Sequence, residues 1–506
     1  MKTIFSGTTW SVCYLLVVAS LSVYGIHRLV ICYLFLRYKD QRVQPLRQWE
    51  HLPLVTVQLP IFNEYYVGKR LLGAVSKIDY PREKLQIQIL DDSNDETRIV
   101  LERESKTLRK AGFDVAYIYR KDRIGFKAGA LAAGLEAAKG EFIFILDADF
   151  VPPPCVLLET IHYFTNPKIG MVQMRWGHLN RHYSFLTRIQ AILLDGHFLL
   201  EQTARCRSGR FFNFNGTAGI WRKSCIETSG GWHYDTLTED LDLSYRAQMG
   251  GWKFLFLPDI VVPAELPVDM NGFQSQQHRW TKGSVQTCKK LLPRLWKSDI
   301  PLPIKLESTV HLVSNFSYLL LLLLCLLILP NSFAATHSAI YVLLVDIPIF
   351  VTTSISILFF YIVSQRYVNP NGWLKEVWLF PMLLALAAGM SINNARGVVE
   401  AIFNHQSEFK RTPKCGIKSG FNSRRLKTRP RYWPLCSALP IAEVLFAIYF
   451  GFCVGMAILN GQWFSIPFLL VFLIGFSYVA FLSITFWLQR WSILSNSQDR
   501  QKEVIA

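Results

Sequence analysis

Two rhythms of apolar residues run along this chain of 506 residues. Residues 10–36, 308–329, 339–363, 438–459 and 464–488 form long, almost uninterrupted apolar runs. Each approaches the ~20 residues with which a helix crosses ~30 Å of hydrocarbon. Between about 53 and 306 the rhythm changes. Short β-like runs at 54–60, 85–90, 115–119, 141–146 and 170–176 alternate with helical patterns such as the alanine-rich 127–139. Runs of that length between helical stretches predict strands. Their alternation predicts an α/β fold built on a mainly parallel sheet with helices on both sides. Ligands of such sheets sit at the carboxyl ends of the strands.

A further apolar run, 378–403, reads two ways, as a span or as an interfacial helix, and charge decides between them. The following loop carries Lys410, Arg411, Lys414, Lys418, Arg424, Arg425, Lys427, Arg429 and Arg431, whereas loops 330–338 and 460–463 contain no lysine or arginine. Basic loops stay in the cytoplasm, so 378–403 is expected to lie along the cytoplasmic interface, with Asn393, Asn394, Arg396 and Glu400 meeting water. Arg37, Lys39, Arg42 and Arg47 likewise hold the end of the first run inside, which places the N-terminus outside. The expected layout is therefore an N-terminal membrane helix (1–36), a cytoplasmic domain (37–306) and two spans (307–364). A cytoplasmic interfacial and basic segment (365–437), two more spans (438–490) and a cytoplasmic tail (491–506) follow. That makes five spans, with six as the rival count. Arg28, Asp346 and Glu443 are ionisable residues within the spans. Arg28 and Glu443 lie at similar depths and are expected to pair.

Half of the chain (51%) is hydrophobic, 14% is aromatic and the mean hydropathy is +0.22, too apolar for an ordinary soluble enzyme; its net charge is +17. Such a charge suits nucleic acid as well as an anionic membrane face, but the apolar runs select membrane lipids and leave no role for nucleic acid. Ten cysteines occur without a CxxC pair, so neither a zinc site nor a disulfide framework is expected.

Candidate chemistry gathers at strand ends. The apolar run from Phe142 leads into Asp147-Ala-Asp149, two carboxylates spaced i, i+2 ahead of Pro152. Carboxylate oxygens suit Mg²⁺ or Mn²⁺, and such a cation neutralises charge on a departing diphosphate. Asp91-Asp92-Ser93 and Asn63-Glu64 follow two other strand candidates, where turn and cap chemistry would also explain them. Lys127 opens a helix, which is unfavourable for the helix dipole unless an anion is present or water covers the lysine. Thr238-Glu239-Asp240 precedes the helical run 241–249; Asp240 is the candidate general base, though acids in a first helical turn are also ordinary. In Gln276-Gln-His-Arg279-Trp280, Arg279 would hold a diphosphate and Trp280 would offer a face to a sugar ring, or the pair would simply pack.

In this order the motifs resemble the processive branch of glycosyltransferase family 2, which includes cellulose, chitin and hyaluronan synthases. That family's pattern of D, DxD, TED and QxxRW appears here as Asp91-Asp92, Asp147-Ala-Asp149, Thr238-Glu-Asp240 and Gln276-Gln-His-Arg279-Trp280. A closer similarity is to the cellulose-synthase-like A and C proteins, mannan and glucan synthases, through the stretch from Phe211 to Arg222, Gly230-Gly-Trp232, Gly251-Trp-Lys-Phe254 and Glu265-Leu-Pro267. The resemblance implies a GT-A-type, Rossmann-like cytoplasmic domain that transfers a hexose from a nucleotide sugar with inversion. It implies that Asp147 and Asp149 hold Mg²⁺ or Mn²⁺, and that Asn63, Glu64, Asp91, Asp92, Lys127, Asp147, Gln276 and Arg279 bind the donor. Asp240 would be the base; Phe214, Asn215, Gly216, Thr217, Glu239 and Trp280 would meet the acceptor. Phe409, Thr412 and Lys414 are similar to the FxVTxK gating loop of cellulose synthases, with Arg411 where that pattern has valine. No PilZ-like domain follows the spans, so control by cyclic-di-GMP is not expected on this chain.

The expected activity is polymerisation of a β-linked hexose, of glucan or mannan type, from UDP-glucose or GDP-mannose, with a lean to glucose. The growing polysaccharide would pass through the protein's own helices. One alternative is transfer of a single sugar to a lipid or polyprenyl carrier; another is a transporter or channel whose soluble domain senses nucleotide sugars.

Overall fold

The computed structural model describes residues 7–334, 351–406, 412–417 and 438–505. Seven strands, β1 (Val55–Ile61), β2 (Leu85–Asp91), β3 (Asp114–Tyr119), β4 (Phe142–Ile145), β5 (Ile169–His178), β6 (Gly219–Arg222) and β7 (Lys253–Ala264), form one sheet in the order β3-β2-β1-β4-β6-β5-β7. Only β6 runs against its neighbours β4 and β5. The other pairs are parallel, as the alternating pattern predicts.

Register is set inside β1. Val55, Val57 and Leu59 are fully buried on one face, and so are Thr56 and Gln58 on the other. The polar pair survives burial because each finds its register partner. Thr56 Oγ1 donates to Gln86 Oε1 at 2.8 Å, and Gln58 Nε2 donates to Gln88 Oε1 at 2.9 Å. A slip by one residue would turn both into the apolar layer and leave them without partners. Val57, Ile87, Phe144 and Ile220 anchor the core on one side of the sheet; Leu131, Ile143, Trp221 and Leu243 anchor it on the other. Each such side chain contributes about 1.5–3 kcal/mol on burial.

The helices that matter for the site are α1 (Gly7–Tyr38), α2 (Phe126–Glu136), α3 (Phe185–Asp195), α4 (Glu239–Met249) and α5 (Met270–Lys297). α3 starts at a reciprocal cap between Ser184 and Thr187 and runs on through a π-helical turn, Gly196–Gln202, into Thr203–Arg207. Beyond α5 lie α6 (Leu302–Val313), α7 (Phe316–Ala334), α8 (Ser356–Val368), α9 (Phe380–Gly389), α10 (Ser391–Ile402), α11 (Leu439–Leu459) and α12 (Ile466–Ile505).

Among the described residues, four helical stretches are long and apolar enough to cross a membrane: Thr9–Tyr38, Trp373–Ile402, Leu439–Leu459 and Ile466–Leu488. Leu302–Val313 and Phe316–Leu329, bent by 55°, make a fifth if they form one span. This composition fits a membrane protein. The first half of the expected span 339–363, including Asp346, falls outside the described residues; a π-helical turn, Val351–Ile355, and α8 cover the rest. The run 378–403 is divided between α9 and α10. Its polar end is fastened to α5, where Asn393 Nδ2 donates to Gln274 O at 3.0 Å and Lys282 Nζ meets Glu400 at 3.0 Å.

The expected pairing of Arg28 with Glu443 is not found. Arg28 meets Glu201 in the π-helical turn, and Glu443 accepts from Gln274 Nε2 at 2.6 Å. Depth counted along a sequence gives a height in the membrane but no facing. α1 packs on α7, α8 and Thr203–Arg207, which turns Arg28 toward the π-helical turn.

Candidate active site

Strands β1, β2, β4, β5 and β7 all end on one side of a cleft of about 190 Å³. Phe62 and Glu64 follow β1, Asp92 follows β2, Asp147 and Asp149 follow β4, His178 closes β5 and Glu265 follows β7. Parallel strands bring their carboxyl ends to one edge, so acids far apart in sequence arrive together. From the far wall come Lys127 of α2, Glu239 and Asp240 of α4, and Gln276, Arg279 and Trp280 of α5, with Asn215 and Gly216 from the loop before β6. Asp149 and Asp240 thus line the same cleft.

Lys127 is the hinge of the electrostatics. Gly125 caps α2 at φ +73°, a left-handed turn that suits glycine and sends Lys127 inward. Its Nζ donates to Asp147 Oδ1 at 2.5 Å and to Gly216 O at 2.9 Å. Burial opposes its charge, but Asp147 and Glu239 outweigh burial and raise its pKa. Asp240 is raised as well, which for a carboxylate disfavours the charged form: burial and then Glu239 push it up to about 7, against the pull of Lys127. Gly216 makes room for it. At φ +79° a Cβ there would stand 3.1 Å from Asp240 Oδ2. Burial lowers the pKa of Arg279, opposed by Glu239, Asp147 and Asp240.

Asp149 is nearly enclosed. Its Oδ2 accepts from Lys414 Nζ at 2.7 Å and from the backbone N–H of Glu265 at 3.1 Å. Burial opposes the Lys414 charge, yet Asp149 and Glu265 raise its pKa. Thr412 also lines the cleft, whereas Phe409 and Arg411 lie outside the described residues.

Several predicted donor or acceptor residues stand behind the wall. Asp91 is fully buried, its Oδ2 accepting from Tyr117 Oη at 2.5 Å and its Oδ1 from Ser93 N at 2.8 Å. Asp92, next along, does line the cleft and is gripped by Arg120 through Nε at 2.8 Å and Nη2 at 2.6 Å. Asn63, at φ +52°, exchanges hydrogen bonds with Asn94 and holds the two strand-end loops together. Phe214 packs edge-on against Trp221, and Thr217 Oγ1 accepts from Asp147 N at 2.9 Å. Neither Phe214 nor Thr217 lines the cleft. They shape it from below.

Sequence reasoning missed three charged groups. Arg70 pairs with Glu265 at 2.6 Å and its Nη2 donates to Asp149 O at 3.0 Å. Arg123 stacks on Phe62 with its guanidinium 3.3 Å from the ring centroid. Glu265 had a signal, since it begins the Glu265-Leu-Pro267 motif. Arg70 and Arg123, on a helix and a loop with no motif, had none.

Residues 53–283 match the family described as "Glycosyltransferase like family 2". The chain is 32% identical over 441 residues to "Glucomannan 4-beta-mannosyltransferase 2" of Arabidopsis thaliana, covering 84% of this chain and 81% of that relative. It is 37% identical over 315 residues to "Glucomannan 4-beta-mannosyltransferase 1" of Cyamopsis tetragonoloba, covering 59% of this chain and 60% of that one. Among solved structures, the mannosyltransferase PcManGT from Pyrobaculum calidifontis, in complex with GDP-Man and Mn²⁺, has a similar fold. Its TM-score is 0.52 at 18% identity over 78% of this chain and 100% of that chain.

Proposed function

The chain belongs to glycosyltransferase family 2, and from that premise we propose that its cleft adds β-linked mannose, taken from GDP-mannose, to a growing polysaccharide. The relatives are named mannosyltransferases, and this moves the donor from the glucose favoured by sequence to mannose. The observation that carries the reading is the meeting of Asp147, Asp149, Lys127 and Asp240 in one cleft. Diphosphate-binding groups and a carboxylate raised to about 7 then stand within reach of one substrate.

In this reading the acceptor hydroxyl attacks the anomeric carbon from the side opposite the diphosphate, which inverts the linkage. Asp240 takes the hydroxyl proton as the new C–O bond forms. A base with a pKa near the working pH is suited to that transfer. Arg279 and Lys127 face the departing diphosphate and balance its charge. Trp280, whose ring centroid lies 6.4 Å from that of Trp176, offers the acceptor sugar an apolar wall.

The family also implies a divalent cation. The donor set fits it, because Asp147 and Asp149 present only oxygen ligands, the choice of hard cations such as Mg²⁺ and Mn²⁺. When bound there, the cation supplies positive charge against the leaving diphosphate.

Placement of the catalytic domain in the cytoplasm, with the N-terminus outside, rests on the basic loops. Docking of α5 on α10 and α12 puts the acceptor wall beside the apolar helices, which supports passage of the product between them. The test is a donor panel of GDP-mannose and UDP-glucose with the purified membrane enzyme and Mn²⁺ or Mg²⁺, followed by size and linkage analysis. A β-linked mannan is expected. A single sugar on extracted lipid would replace polymerisation with carrier glycosylation.

A further inference from the structure

We propose that His197 is a positioning residue for the acceptor side of the cleft, fixing the side-chain amide of Asn215. The inference rests on the reading that Asn215, which lines the cleft, meets the acceptor.

The π-helical turn Gly196–Gln202 places residues five apart on one side, and two of its side chains reach the same asparagine. Gln202 Nε2 donates to Asn215 Oδ1 at 2.6 Å, and His197 Nε2 lies 2.9 Å from Asn215 Nδ2. Gln202 Nε2 also donates to Asn213 O at 3.0 Å, so a donor faces Asn215 from that side. The Asn215 oxygen must therefore face Gln202 and its NH₂ must face His197. His197 Nε2 is then the acceptor, and the imidazole proton sits on Nδ1. That proton meets Glu201 Oε2 at 3.2 Å. Asn215, His197 and Glu201 thus pair donor to acceptor; Gln202 Nε2 also stands 3.4 Å from His197 Nε2, consistent with an accepting Nε2, while Gln202 Oε1 is buried without a partner among the described residues.

Glu201 is itself fixed. Burial would raise its pKa, but Arg28 and Arg205 hold it well below the usual carboxylate value. Arg205 Nη1 stands 3.1 Å from its Oε2, and Arg28 pairs with its other oxygen. The imidazole is thus clamped by an ionised carboxylate held by Arg28 of α1 and by Arg205, and it passes that order to Asn215. One amide N–H of Asn215 is engaged by His197, and the other remains for an acceptor hydroxyl.

Two substitutions separate the two nitrogens of the ring. His197→Asn keeps a donor near the Nδ1 position for Glu201 and loses the acceptor for Asn215. His197→Gln keeps an acceptor near the Nε2 position. Steady-state kinetics with a soluble manno-oligosaccharide acceptor should show His197→Asn raising the acceptor KM about tenfold, with donor KM within twofold. His197→Gln should stay within about threefold of the parent, and in an Asn215→Ala background His197→Asn should add nothing further. Equal losses in the Asn and Gln variants, or losses that multiply with Asn215→Ala, would overturn the positioning role. Thermal unfolding in detergent reads any general destabilisation separately, and an acceptor KM defect that follows the unfolding temperature would also overturn it. If Asn215→Ala alone leaves the acceptor KM unchanged, the assignment of the acceptor wall fails instead.

Discussion

Burial and the adjacent Glu239 hold Asp240 at about 7, with Lys127 pulling down. As the proposed base, Asp240 has to be ionised, so turnover should climb with pH through that value and level off above about pH 8. Asp240→Asn should cut kcat about 10²–10⁴-fold and remove the rising limb, as pH–rate profiles will record. Stability should run the other way. The folded pKa lies above the unfolded value of about 3.9. The contribution of Asp240 to stability is therefore full below about 3.9 and is lost as pH rises through about 7. At pH 8, Asp240→Asn should unfold no lower than the parent in a thermal scan. The sequence located this residue by its motif, yet it misjudged neighbours of the same type. Consecutive residues at a strand end point to opposite sides, so of Asp91 and Asp92 only the second lines the cleft. In the loop before β6, Phe214 likewise turns into the core and Asn215 into the cleft. A motif gives position along the chain, and direction comes only from the backbone.

Elements differ in how clearly their residues announce them. β2 and β4 are buried along their whole length, and β1, β3 and β5 were legible as short runs rich in β-branched and aromatic residues. β6 is four residues long, and β7 contains Pro258, Asp259 and Pro263. Prolines are tolerated there because β7 is an edge strand. Its register with β5 shifts between Met174 and Arg175, which breaks the alternation a reader looks for. The π-helical turn after α3 is equally silent, since its extra residue leaves no compositional mark. Two predictions belong at this scale. Gly216→Ala forces a side chain into a left-handed backbone and to 3.1 Å from Asp240 Oδ2. It should cost roughly 1–3 kcal/mol in chemical unfolding and depress kcat more than donor KM. Arg28→Leu should destabilise the protein by roughly 1–3 kcal/mol, because Glu201 is left with Arg205 and His197 but without its partner on α1. Glu443→Gln, by contrast, should leave the Arg28→Leu penalty unaltered when the two are combined, since the residues share no contact.

At the scale of the whole molecule, a short strap ties the membrane part to the sheet. Residues 412–417 stand in sequence between α10 and α11, yet Lys414 Nζ reaches Asp149 Oδ2 at 2.7 Å and Glu265 O at 3.0 Å. The N–H groups of Cys415 and Gly416 donate to Glu265 Oε2 at 3.3 and 3.0 Å. The family resemblance marked Lys414, but a sequence cannot say that its ammonium stands on a carboxylate proposed to hold the cation. If Asp149 is such a ligand, lysine and cation compete for one oxygen. EDTA should abolish turnover, and Mn²⁺ or Mg²⁺ should restore it. Two unit charges about 4 Å apart already interact by about 1 kcal/mol in bulk water and by more near a protein, so Lys414→Met should reach half-maximal activity at a metal concentration at least about five-fold lower. Lys414→Arg keeps the charge and should titrate like the parent. Turnover at saturating metal should fall in the Met variant, because the strap loses its hold on the cleft. Metal affinity and kcat would then move in opposite directions, which general loss of structure cannot produce. An unchanged metal requirement in Lys414→Met would instead remove Asp149 from the cation's ligands and leave it as the anchor of the strap.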